Sequence, residues 1–478
     1  MDKRKGIGLF GLIGMVISSC IGSGVFAITG QLAQVASPGS ALIAWGVVGV
    51  GFMMLALSLA NLGAKRPDLH GIFQYAEEGF GPFAGFISGW GYWLSAWLGN
   101  VAFATMMMST LGYFFPAFLP GKHRSSHPSS GVGHHVAAHP ARHPRRRERI
   151  VLQRHRHGVQ GGVHRRVHPV HLFLFNANVF TADFWGTLQN NMASMGELGA
   201  DAVAIGSVGD QVKNCLIILM WTFVGIEGAT VMSSRARKKS DVGKATVIGL
   251  ICLLLIYISA SVLPYGYLPY TEIAAMNYPA MLYVFDSMAP GWGGAFISIA
   301  IIISVMGSWL SFTILPAETT SDMAKRQLLP AAWGKMNAKN APRFSLLIVG
   351  ACTQVFMLTL IFSEDAYNFA FSLCTVAIVI TWTLAAAYQA KYSAQNRQMG
   401  QLVIGAIAVL FQVVGVLLNG WTFLLLTCVG YIPGFFVYAK ARKDQGRGLT
   451  TAEKAGMGII SALGVLSLVL LFTGFISF

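Results

Sequence analysis

Long apolar runs separated by short polar loops make up most of this chain. A helix needs about 20 mostly apolar residues to cross a bilayer, and the pattern predicts eleven such helices. They lie near Ile7–Thr29, Ala41–Ala64, Phe83–Phe115, Val212–Ser233, Ala245–Leu268, Trp292–Met323 and Phe344–Phe362. Four more follow near Ala366–Ala390, Leu402–Leu418, Trp421–Tyr438 and Ala455–Phe478. The third and sixth are long, and are expected to tilt or to extend beyond the bilayer. The predicted class is an all-α polytopic membrane protein.

The polar loops orient these helices. Lys3, Arg4 and Lys5 precede the first, "KRPDLHG" follows the second, and "SRARKKSDVGK" follows the one at Val212. "KRQLLPAAWGKMNAKNAPR", "AKYSAQNR" and "AKARKDQGRG" close three later helices. Basic loops face the cytoplasm, so the N-terminus is expected there. The alternation holds throughout if the region between Phe115 and Val212 crosses the membrane twice or not at all.

That region contains the chain's most unusual stretch. Eleven of the twelve histidines lie between His123 and His171. Ten arginines and Lys122 share Gly121–His171 with one acid, Glu148, which gives +10 of the net +15. No apolar run here approaches membrane length. Burying an arginine at a helix centre costs about 2.5–3.5 kcal/mol, so this stretch is not expected to form two spanning helices. Three readings stay open: a His-rich metal-binding loop, a disordered external insertion, and coding sequence read out of frame between two compensating errors. The abrupt return of sense at "LFLFNANVFTADFW" favours the third.

Composition agrees with the membrane class: 54% of residues are hydrophobic and 11% charged, against about a quarter charged in soluble domains. Outside Gly121–His171 the net charge falls to about +5, much of it in short loops, so topology explains it better than nucleic-acid binding. The basic start is expected to be a retained first helix and not a cleaved signal. Cys20, Cys215, Cys252, Cys352, Cys374 and Cys428 sit in apolar runs without a CxxC pair, so neither disulfides nor a cysteine metal site are expected.

Two helices carry signs of interruption. "SSCIGSGVFAITG" places Gly22, Ser23 and Gly24 in the middle of the first span, where glycine weakens a helix. Small residues also serve close helix packing. "MWTFVGIEGATV" places Gly225 and Glu227 inside the span at Val212. An intramembrane acid is costly to bury and marks function by default, although a Glu bonded to a neighbouring helix is the plain alternative. By the topology above, the two helices start on opposite sides of the membrane, as in an inverted repeat with its substrate site between the breaks. Freed N–H groups suit a carboxylate and freed carbonyls an ammonium, and an α-amino acid has both.

The chain resembles antiporters of the amino acid–polyamine–organocation superfamily, in its basic amino acid/polyamine branch. "IGSGVF", "YWLSAWLGN", "WTFVGIEGA", "AETTSDMAKRQLLP" and "NAPRFSLL" carry the resemblance. It covers nearly the whole chain except Gly121–His171, where the family has its fourth and fifth helices. The extra C-terminal span is similar to the arginine/ornithine exchangers. The resemblance implies a LeuT-type 5+5 inverted repeat with discontinuous helices one and six. It divides the chain into helices one to three (1–120), the aberrant segment (121–171), the remainder through helix ten (172–390) and C-terminal helices eleven to thirteen (391–478).

The resemblance also implies residue roles. Ser23 and Gly24 would hold the substrate carboxylate, while backbone carbonyls of Cys20, Trp221 and Val224 would hold its ammonium. Trp221 would also form part of a gate. Ala96, Asn100 and Cys374 would line the side-chain pocket, and Phe312 would stack on a guanidinium. Many relatives have Trp at that position. Glu227 would link the broken sixth helix to gating or pH. Trp93, Trp97 and Trp309 are assigned to packing.

The expected function is exchange of basic amino acids, arginine for ornithine among them, by alternating access in a bacterial-type inner membrane. No enzyme activity, cofactor, metal or nucleic acid is expected. Partners are amino acid substrates and the lipid bilayer, and oligomerisation is open. The alternatives are a His-rich membrane metal transporter or sensor, and a relic disabled by loss of helices four and five.

Overall fold

The computed structural model describes residues 6–115, 175–194, 204–339, 341–359 and 366–476. The stretch Gly121–His171, with the expectation that it forms no two spanning helices, lies outside them. The first helices are α1 (Leu9–Ile21), α2 (Gly24–Val35), α3 (Pro38–Lys65), α4 (Ile72–Phe80) and α5 (Pro82–Phe114). Two short helices follow, α6 (Ala177–Thr181) and α7 (Thr187–Ser194), then α8 (Val208–Thr222), α9 (Gly228–Val231) and α10 (Ser240–Val262). The chain continues with α11 (Tyr270–Ala274), α12 (Ala280–Met288), α13 (Gly293–Lys325) and α14 (Arg343–Thr359). It closes with α15 (Ala366–Gln395), α16 (Met399–Asn419), α17 (Trp421–Asp444) and α18 (Thr451–Phe472).

Each apolar run named above carries helix within these residues. Among the described residues, eight helices are long and apolar enough to span a membrane, and α1 with α2, bent by 42°, makes a ninth. Two of the eleven fall short of that measure for visible reasons: α14 has 17 residues, and α8 stops at a break before the short α9.

Local chemistry sets the helix starts. Pro38 and Pro82 stand at the first turns of α3 and α5, where a missing N–H costs nothing. At α8, Ser207 Oγ accepts from Asp210 N while Asp210 Oδ2 accepts from Ser207 N. Thr450 and Glu453 repeat that reciprocal cap at α18. Each satisfies donors that a helix end leaves open.

Helix α5 packs against α13 and α15, whereas α3 packs against α10, α16 and α8, and α1 against α10 and α13. The apolar window of α15 is 78% buried and that of α18 only 11%. Hence α15 is central, and α18 is a peripheral helix held through Tyr438, which donates to Glu453 at 2.6 Å. Outward positions such as Leu255, Ile303 and Leu310 are exposed and apolar, the surface a lipid environment selects. Because lipid offers no hydrogen bonds, only regular helix is stable there and any break must be buried in protein.

The basic end of the bundle is fastened by α4. Arg66 pairs with Asp68 and Glu78 and donates to the Tyr388 hydroxyl, while Arg326 pairs with Glu77 at 2.5 Å. Lys391 donates to Gly79 O at 2.7 Å.

Candidate functional site

Both interruptions expected from the glycines are present. Helix α1 ends at Ile21, Gly22 turns the chain with φ +34°, and α2 starts at Gly24. Helix α8 ends at Thr222, Gly225 has φ +109°, and α9 starts at Gly228. Positive φ favours glycine because it has no Cβ.

The two breaks touch. Ser19 Oγ donates to Gly225 O at 2.9 Å, and Cys20 Sγ lies 3.7 Å from Phe223 O. A Cβ placed on Gly24 would meet Thr222 Cα at 3.5 Å.

The last carbonyls of a helix have no partner within it, and here side chains supply them. Ser308 Oγ donates to Ser18 O at 2.6 Å, and Ser304 Oγ to Gly22 O at 3.1 Å. Tyr257, fully buried on α10, donates to Thr222 O at 2.7 Å. Glu227 is buried beside the second break, and its Oε2 accepts from Trp382 Nε1 at 2.9 Å.

Tyr92, Ser95, Ala96, Val224, Glu227 and Phe312 enclose a cavity of about 10 Å³. That is room for the centre of about one water, so the structure is closed around this point. Ala96, Val224, Phe312 and Glu227, singled out from the sequence, therefore share one cavity.

Three more of those residues bring unpartnered buried polar atoms: Ser23 Oγ, Asn100 Oδ1 and Trp221 Nε1. Asn100 Nδ2 donates at 3.4 Å to Phe312 O and to Thr313 Oγ1. Cys374 lies behind the cavity wall, with its sulfur 3.1 Å from Ser95 Oγ. Cys20 and Gly24 belong to the contact between the breaks. Phe103 meets Phe312 edge-on at 4.9 Å and Trp221 at a tilt at 6.3 Å by ring centroids. Trp93 and Trp97 lie in a separate aromatic cluster with Trp90 and Trp333, their rings tilted or edge-on to one another.

Sequence reasoning missed Tyr92, Ser95, Trp382, Tyr257, Ser304 and Ser308. Tyr92 was findable, because it shares a helical face with Ala96 and Asn100; Ser95 neighbours Tyr92 at a spacing of three. No local signal marks the others. Among the described residues no group of three or more His, Cys, Asp or Glu converges as metal ligands would.

The family model for amino acid permease matches residues 7–132 and 170–425. The chain belongs to the amino acid permease family. The interval that the match omits, 133–169, falls inside the His/Arg-rich stretch. This permease is 50% identical over 461 residues to an arginine/ornithine antiporter of Latilactobacillus sakei, covering 92% of this chain and 91% of that protein. An arginine/ornithine antiporter of Pseudomonas aeruginosa is 33% identical over 478 residues, with 94% of each chain covered. An arginine/agmatine antiporter of Chlamydia felis is 32% identical over 484 residues, covering 98% of this permease and 96% of that protein.

Proposed function

We propose that this permease exchanges basic amino acids, arginine against ornithine, by alternating access across the cell's inner membrane, with its N-terminus in the cytoplasm. The observation that carries this is the contact of two broken helices beside a buried carboxylate and three unpartnered polar atoms. Its relatives' names specify the amino acids. Ser23 and Gly24 receive the substrate carboxylate. Carbonyls of Cys20, Trp221 and Val224 receive the ammonium. Trp221 O already accepts from Val224 N at 3.0 Å, and its second lone pair remains for substrate. Phe312, Ala96, Asn100 and Cys374 bound the side chain, and Glu227 couples the break to gating. A cavity of about 10 Å³ cannot admit an amino acid, so the helices must part for substrate to enter. No bond is made or broken in this cycle. A metal transporter is not favoured, because these relatives are amino acid antiporters.

Proteoliposomes carrying the chain with its displaced frame restored, and loaded with ornithine, test this. Labelled arginine should enter only when ornithine is inside. Uptake that ignores the internal amino acid sinks the exchange reading.

The same reading takes Gly121–His171 as out-of-frame sequence in place of two helices. Displaced by one base, each codon joins the second and third bases of one triplet to the first base of the next. His codons then give Ile, Met or Thr, and Arg and Gly codons give Val, Ala, Gly, Asp or Glu. Val codons give Phe or Leu among others, and Ser, Pro and Ala codons can give Leu. From His127 to Arg147 every residue permits an apolar counterpart. From Arg149 to His171 only Gln153 and Gln160 permit no apolar, Gly, Ala or Thr counterpart. The displaced frame thus allows two runs of membrane length divided at Glu148. Retranslating the gene decides it: a displaced frame without two apolar runs refutes the idea.

A further inference from the structure

Three polar residues of α13 lie on one face. At about 100° per residue, Ser304, Ser308 and Glu318 fall within an arc of about 80°. Their partners lie on the broken helices or just past them. Ser304 meets Gly22 O and Ser308 meets Ser18 O, so α1 and α13 run antiparallel along these contacts. Nearer the basic end, Glu318 pairs with Arg235, just past α9. Leu315, on the same face, would stand 3.8 Å from a Cβ on Gly228.

The two partner segments are also tied to each other. Ile7 N donates to Arg235 O at 2.9 Å, and Arg237 N donates to Ile7 O at 2.8 Å. Ile7 and Ala236 form a parallel backbone bridge. The start of α1 and the chain after α9 therefore form one backbone-bonded unit. Among the described residues, side chains alone supply the hydrogen bonds and ion pair between that unit and the polar face of α13.

We infer that Ser304, Ser308 and Glu318 form a latch that holds this unit against α13 and shuts the site toward the basic end. Backbone bonds between the segments survive its release, while the three side-chain contacts are what must separate. Ser308 is the central element. Its acceptor is an orphan carbonyl at the end of α1, and the contact is the shortest of the serine pair. Losing the donor leaves a buried carbonyl unmet and favours the parted arrangement. These residues are positioning residues: the serines bond to backbone beside the proposed substrate contacts and not to those contacts themselves.

The latch rests on the alternating-access reading, so its test avoids transport. Cys20 lies behind the latch and is 5% exposed, while Cys215 on α8 is fully buried away from it. The purified full-length chain is treated with N-ethylmaleimide, and modification at each cysteine is followed by peptide mass spectrometry. Ser308→Ala should raise the Cys20 rate about fivefold, the scale of one hydrogen bond, with Cys215 unchanged. Glu318→Gln should raise it about twofold, because that pair is partly solvent-exposed. Ser308→Thr keeps a hydroxyl and should match the parent. The proposal is overturned if Ser308→Ala leaves Cys20 unchanged, if Cys215 rises as much as Cys20, or if Thr behaves like Ala. Failure of arginine exchange would leave these rates untouched, so the two outcomes are distinguishable.

Discussion

Gly225→Ala should loosen the contact between the two breaks. A Cβ at this position would lie 2.9 Å from the carbonyl carbon, the Cβ and the carbonyl oxygen of Ser19. Two of those atoms are backbone and cannot rotate away. The φ of +109° adds strain for any L side chain. Such a backbone conformation costs about 1–3 kcal/mol, and overpacking a tight site costs about 1–3 kcal/mol more. The sum is about 2–6 kcal/mol. Gly24→Ala is the matched control, since its Cβ would meet Thr222 Cα at an ordinary 3.5 Å. It opens α2, where replacing glycine changes stability by about 1 kcal/mol or less. The assay is the monodisperse fraction of purified protein after heating in detergent, ranked at one heating rate because such unfolding is often irreversible. Gly225→Ala should lose its folded fraction at clearly lower temperature than the parent, with Gly24→Ala close to the parent. Equal falls for both variants, or none for Gly225→Ala, refute the close-contact account.

Glu227→Gln keeps an acceptor for Trp382 Nε1 but cannot exchange a proton; in a chain with the displaced frame restored, it should flatten the pH profile of arginine exchange and retain binding. An unchanged profile would reduce Glu227 to a packed, hydrogen-bonded residue. Trp382→Phe removes the 2.9 Å donor to buried Glu227 and should cost about 1–3 kcal/mol for the unmet acceptor. That cost should shrink in a Glu227→Gln background, and equal losses in both backgrounds would show that the bond is not its source. His70 lies in the loop after α3, where burial first and the Lys239 charge second hold its pKa below the ordinary 6.5. The unfolded chain then binds more protons, so this contribution is present above 6.5 and fades as pH falls through the lower folded value. Thermal midpoints of His70→Gln should fall less than the parent's on acidification from neutral pH, and parallel curves would exclude His70 as the source.

Much of the fold was legible because a lipid solvent makes helix placement nearly local. Each span must be apolar and must satisfy its own backbone, so runs such as Ala41–Ala64 and Phe83–Phe115 announced α3 and α5 without reference to neighbours. The breaks were legible for the opposite reason: Gly22, Gly24, Gly225 and Glu227 are the wrong residues for the middle of a span. The short α14 and the interrupted α8 also followed apolar runs, although neither helix is long enough alone to count as a span.

The partners of the breaks were not legible. Ser18 O, Gly22 O and Thr222 O announce only that something must reach them. The donors are Ser308 and Ser304 on α13 and Tyr257 on α10. Trp382, which holds Glu227, comes from α15. Those side chains sit in helices whose apolar pattern would look the same with serine or tyrosine elsewhere. Tyr92 shared a periodic face with Ala96, yet periodicity cannot say that this face closes on Val224 and Glu227 around so small a cavity. By itself the sequence determined the membrane class, the spans and the places where helix must fail. Tertiary structure decided what fills each failure, because hydrophobic period is written locally while the donor for an orphan carbonyl is chosen by how distant helices pack.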